Sequence, residues 1–130
     1  MTPFRIYAQD QFVQDADLLT IQALYMACEE MENAPGATTL CVGFVMGVGH
    51  MMAMNGRTIE WGVRDGVSPH ASLFSTSICD PANPGGSPSG FSMIRAFQNW
   101  AEDHPERWQD PALWGVIIGL QETWPCQISN

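Results

Sequence analysis

The side chains in this sequence best placed to do chemistry are four cysteines, Cys28, Cys41, Cys79 and Cys126, and three histidines, His50, His70 and His104. A thiol beside an imidazole suggests a nucleophile and its base, which Cys41 and His50 would supply in a cysteine peptidase. Nine residues of helix do not bring those two side chains together, and Cys41 has a better use in a disulfide. His50, His70 and an acid would need ligand spacing to make a metal site, and the sequence shows none. There is no Cys-x-x-Cys, so neither a zinc knuckle nor a thioredoxin-type pair is signalled. His104 precedes Pro105 at a helix end, where an imidazole commonly bonds the terminal carbonyls. The serines lack a Gly-x-Ser-x-Gly elbow, and Gly85-Gly86 lacks the basic residue of a phosphate loop. The sequence therefore reads as a non-enzyme with no catalytic residues, no metal and no cofactor.

The cysteines are better explained as staples. Cys28 lies seven residues before Pro35 and Cys41 six after it, so a helix hairpin turning at Pro35 sets them opposite each other. Cys79 and Cys126 are nearly symmetric about His104-Pro105. The expected bridges are Cys28–Cys41 and Cys79–Cys126, contributing roughly 3 and about 4 kcal/mol on chain-entropy grounds.

The elements that position these residues are helical. Asp15 or Asp17 caps a first helix running to about Asn33, with Leu18, Ile21, Leu24, Tyr25, Cys28 and Met31 on one face. Glu29, Glu30 and Glu32 crowd its last turn, the unfavourable end of the macrodipole. Asn33-Ala34-Pro35-Gly36 turns the chain. Thr38 or Thr39 caps a second helix to about Met54, striped by Cys41, Phe44, Val45, Val48 and Met52. Gly43, Gly47 and Gly49 inside it imply close helix–helix contact, and Asn55-Gly56 reads as its stop. Thr58 to Val63 alternates weakly, as a short strand would. Asp80 to Gly90 holds three prolines and three glycines and reads as a surface loop. Ser89 caps a helix bearing Phe91, Ile94, Phe97, Gln98 and Ala101. Asp110, with Pro111 behind it, caps a last helix bearing Leu113, Val116, Ile117, Leu120 and Trp124. Of the five tryptophans, all but Trp61 are expected in the core.

The result is an all-α bundle of about four to six helices in a single domain over residues 1–130. Residues 1–13 would form an N-terminal arm and residues 57–90 an irregular insert and loop. A chain of 130 residues with 45% apolar and 15% charged residues can bury a core. Five arginines, no lysine and fourteen acids give a formal charge of −9, which argues against nucleic acid and anionic membranes and favours a basic partner. No stretch reads as a membrane span, and the start lacks the layout of a signal peptide, which leaves a trimmed leader and another export route both open.

Four ordered motifs carry a family resemblance. Cys41-Val-Gly-Phe-Val-Met-Gly-Val resembles the Cys-x-Gly-Tyr-x-x-Gly-Val signature of the Rap/Tai family of type VI secretion immunity proteins. Ile94, then Trp100-Ala-Glu-Asp-His104-Pro105-Glu106, then an apolar helix closing in Trp124-Pro125-Cys126, resemble the same family, and Cys28 and Cys79 match its remaining cysteines. The resemblance spans about residues 18–126. It implies a periplasmic or otherwise exported helical protein, usually a homodimer, that neutralises a peptidoglycan amidase effector by plugging its cleft. On that basis partner contact is assigned to the Asp80–Gly90 loop and Trp61, through Trp61, Asp80, Asn83, Ser87 and Ser89. A small periplasmic chaperone, its methionines forming an adaptable client surface, is the alternative. A third reading is an environmental or phage-encoded domain that reuses this frame.

Overall fold

The computed structural model describes residues 19–66 and 71–127. Expectations that rest on Asp15, Asp17, Leu18, His70 or the N-terminal arm lie outside them. Helix α1 spans Ile21–Glu29, α2 Pro35–Arg64, the single turn α3 Ala71–Phe74, α4 Gly90–Asp103 and α5 Ala112–Thr123, with a 3-10 turn over Pro105–Arg107. Both expected disulfides are formed, and no strand occurs among the described residues.

Thr20 starts α1, its hydroxyl accepting the Ala23 N–H at 3.1 Å. Two further N–H groups of the first turn, which no helix can satisfy internally, reach across the molecule. Ile21 donates to the Asp110 carbonyl at 2.9 Å and Gln22 to that of Trp108 at 3.0 Å. Ala112 returns a bond to the Leu19 carbonyl at 2.7 Å, so α1 and α5 begin at one shared knot. Pro111, not Asp110, occupies the N-cap of α5, because the Asp110 carboxylate is engaged by the Arg107 guanidinium.

Helix α1 ends at Glu29, earlier than Asn33, and α2 starts with Pro35 in its first turn. Neither Thr38 nor Thr39 caps it. Thr38 donates to the Met31 carbonyl at 2.6 Å and Thr39 to that of Pro35 at 3.2 Å. The larger correction comes downstream. Asn55-Gly56 does not stop α2, and residues 58–63 continue it for two more turns instead of forming a strand. Tertiary contact overrides local propensity here. Asn55 donates its amide to the Thr76 carbonyl at 2.8 Å, and Gly56 lets the Ile78 backbone lie directly on the helix. Ile78 N–H donates to the Met52 carbonyl at 3.1 Å. Ile59 is buried while Trp61 and Val63 face solvent, the pattern of a helix and not of period two.

The buried residues of α2, Cys41, Val45, Gly49, Met52, Gly56 and Ile59, recur every three or four positions. They pack α1, α4 and α5 around a core that includes Ile21, Leu24, Phe97 and Leu120. By length and composition α2 is long and apolar enough to cross a membrane, which corrects the expectation that no stretch suits a span. Its packed stripe serves this core. The glycine expectation is met only at Gly49, which sits against Met93 and Leu120; Gly43 and Gly47 face open space. Phe91, Leu113 and Trp114 are exposed, contrary to the helical stripes and the tryptophan core drawn from the sequence. Helices α4 and α5 bury one face only, and these three side chains lie off it.

Gly56→Ala should lower unfolding free energy by about 3 kcal/mol, because its Cβ would overlap the Ile78 carbonyl, a backbone group that cannot swing aside. Gly43→Ala, with nothing near its Cβ, should raise stability by about 0.5–1 kcal/mol. Denaturant unfolding of both variants checks the pair.

Candidate functional site

The last two turns of α2 and the loop that follows α3 meet on one side of the molecule. Trp61 is 51% exposed there, with the Arg57 guanidinium 5.8 Å from its ring centroid. Glu60, Trp61, Arg64, Pro84 and Gly85 line a shallow cleft of about 310 Å³, so Trp61 and the loop tip share one surface. The loop has its own internal order. Asp80 accepts the Ala82 N–H on its side chain and that of Asn83 on its carbonyl, both at 3.0 Å. Gly86 N–H bonds the Asn83 carbonyl at 2.9 Å, the Asn83 amide donates to the Ser87 carbonyl at 3.2 Å, and Gly85 takes a left-handed φ of 76°. Asp80, Asn83 and Ser87 thus shape the loop. Ser89 accepts the Ser92 N–H and caps α4, some way from the Trp61 cleft in chemical role.

Sequence reasoning missed Arg57, Glu60 and Arg64. The signal exists: these residues stand three or four positions apart, as α-helical neighbours do, but the weak alternation over residues 58–63 reads as a strand.

A second depression, of about 630 Å³, runs between α4 and α5. Trp100 and Gly119 form part of its wall, Phe91 and Trp124 lie along it, and Arg95, Asp103 and Glu122 supply charge. The His104 ring stacks on Trp100 at 4.4 Å, and its Nδ1 lies 2.8 Å from the Trp100 carbonyl. A carbonyl can only accept, so Nδ1 carries the hydrogen. His104 thus bonds a helix-terminal carbonyl as expected from its place before Pro105. A narrower cleft lined by Glu60, Pro81, Thr123 and Trp124 shares walls with both depressions, giving one continuous uneven surface.

Cys41 is fully buried in its disulfide and His50 is exposed, so the two form no nucleophile–base pair. Among the described residues no three of His, Cys, Asp and Glu gather as a metal site.

At the far end of α1, Tyr25 donates to a Glu102 oxygen at 2.9 Å and the Gln98 amide to Glu29 at 2.8 Å. The Glu102 hydrogen bond, then desolvation, then the Glu29 and Glu102 charges push the Tyr25 phenol from its ordinary 10 up to about 12.

The model of the Rap1a immunity proteins matches residues 20–126. The chain belongs to the Rap1a immunity protein family. Neither the curated proteins nor the solved structures compared with it contain a match. Membership in this type VI secretion family makes the chain an immunity protein that binds a protein effector. Both disulfides fit an exported Rap1a protein.

The Tyr25 shift has a sign that can be tested. The folded state keeps the phenol neutral to about pH 12 while the unfolded chain ionises near 10. The stability from this bond is therefore whole below pH 10 and is lost as pH rises to 12. Ultraviolet phenolate titration should show one late-ionising tyrosine, absent in Tyr25→Phe and shifted back toward 10 in Glu102→Gln.

Proposed function

We propose that this immunity protein is non-enzymatic, acts in the periplasm as a homodimer, and inhibits a peptidoglycan amidase effector by covering its active-site cleft. The observation that carries the reading is the joint placement of Trp61 and the Asp80–Gly90 loop on one surface. A large aromatic ring at the centre of a patch, ringed by arginine and a turn, is the usual composition of an interface anchor. The loop's internal hydrogen bonds hold it ready-shaped, which reduces the ordering cost of inserting it into a cleft. A net charge of −9 speeds the approach of a basic partner. Dimerisation is supported by a second face of α2, where Leu40, Met51 and Met54 are exposed beside the open Gly43 and Gly47.

Deleting Asn83 to Ser87 should abolish inhibition of the captured effector's amidase activity and leave the thermal midpoint nearly unchanged. Trp61→Ala should weaken effector binding by about 2 kcal/mol, a factor of about 30. Pull-down from periplasmic extract should yield one stoichiometric partner. Many weak clients would favour the chaperone reading, to which exposed Met26, Met51 and Met54 lend some support. Unfolding of the loop-deleted chain would sink the assignment of the loop to partner contact. Sedimentation should give twice the 14.3 kDa chain mass.

A further inference from the structure

The depression between α4 and α5 holds features that the Trp61 cleft does not explain. Its volume, about 630 Å³, is that of a site for a small ligand or a short peptide. Phe91, which lines it, is 79% exposed, a large apolar ring left mostly in water. Arg95 has no ion pair among the described residues, and neither have Asp103 and Glu122, although all three line the same depression. Charges that line one groove without pairing to each other are free to pair with something else. Arg95 and Asp103 are eight residues apart on α4, about 12 Å along its axis, which an extended peptide covers with about four residues.

The wall holds one further irregularity. Trp100 is 6% exposed, and its indole N–H is the single buried side-chain polar atom among the described residues with no hydrogen-bond partner. Buried indole N–H groups nearly always find an acceptor. This one has almost no accessible surface, so it meets an acceptor from the groove only if the ring tilts outward. The stacked His104 ring, held to the main-chain Trp100 carbonyl, stays in place as the indole leaves it.

We propose that the α4–α5 groove binds an extended, basic segment of the protein partner. A lysine or arginine of that segment lies against Asp103 and Glu122, an apolar residue covers Phe91, and a main-chain carbonyl takes the Trp100 indole N–H as the ring tilts. A basic segment fits a molecule of charge −9 better than an acidic one, even with Arg95 in the wall. The inference rests on the immunity reading, since that reading supplies a protein partner, but it concerns the α4–α5 groove and not the Trp61 cleft.

The test titrates the full chain, 15N-labelled on tryptophan, with two capped tetrapeptides, acetyl-Ala-Leu-Lys-Ala-amide and acetyl-Ala-Leu-Glu-Ala-amide. One indole N–H signal, assigned by its loss in Trp100→Phe, should shift saturably, with the lysine peptide binding at least tenfold more tightly. Asp103→Asn with Glu122→Gln should erase that preference, and Phe91→Ala should weaken the lysine peptide at least fivefold; these three side chains are exposed, so the thermal midpoint should hold. An unmoved Trp100 signal, or equal response to both peptides, overturns the proposal. A chain that captures its effector yet ignores both peptides keeps the immunity reading and loses the groove. Lysine-peptide binding without any effector capture does the reverse.

Discussion

Helix α2 can act as the common floor for α1, α3, α4 and α5 only because the chain returning from α3 lies flat against it at Gly56. A side chain there would lift the Ile78 backbone off the helix. The bonds that hold this crossing, Asn55 to Thr76 and Ile78 to the Met52 carbonyl, need the same close approach. From the crossing the chain passes directly to Cys79, whose N–H bonds the Trp124 carbonyl at 3.0 Å and whose sulfur is joined to Cys126. The close contact on α2 thus determines where the end of α5 is fastened. Fastening α5 fixes one wall of the α4–α5 groove, and the crossing itself sets the height of the Asp80–Gly90 loop over Trp61. The glycine's missing methyl group is felt at both surfaces.

The other bridge works where the sequence is locally at odds with its helix. Glu29, Glu30 and Glu32 stand at the C-terminal end of α1, where the carbonyl dipoles already present negative charge. Cys28–Cys41 holds that end against α2 at a Cα separation of 5.0 Å, and Gln98 and Tyr25 spread the carboxylate charge into hydrogen bonds with Glu29 and Glu102. The raised Tyr25 phenol reflects first its hydrogen bond to Glu102, then desolvation, and only then the Glu29 and Glu102 charges. Acidity that would fray an isolated helix is tolerated because covalent and hydrogen-bond ties replace the missing dipole compensation.

Much of this frame was legible in the sequence because helix hairpins are local and cysteine spacing is arithmetic. Near-equal distances from Pro35, and roughly symmetric ones from His104-Pro105, point to the correct bridges, and Ser89 is a cap as its sequence suggests. What escaped is non-local. Asn55-Gly56 has the composition of a helix stop, and only the arrival of Thr76 and Ile78 shows that both residues serve a crossing instead. The start of α1 is partly capped by carbonyls of Trp108 and Asp110, almost ninety residues away, which no local signal announces. The Trp61 surface was half legible. The ring and the loop stood out by composition, but their neighbours Arg57 and Arg64 emerge only once residues 57–64 are known to be helical.

The distribution of charge separates two tasks that a net value of −9 would merge. The acids near the α1–α2 turn and at the end of α4 are distant in sequence from Trp61, while Arg57 and Arg64 flank it on the same helix and outnumber the one acid of its cleft, Glu60. Long-range attraction depends on the summed field and reaches about a Debye length, roughly 8 Å at physiological salt. Contact at the anchor depends on the few groups that are desolvated together. On the proposed reading, an acidic body draws in a basic partner while the guanidinium groups beside Trp61 donate to that partner's acceptors at close range. A uniformly acidic interface would bind by the same force that steers, and high salt would erase both; with the proposed aromatic anchor between arginines, salt would slow the encounter and leave the packed contact largely intact.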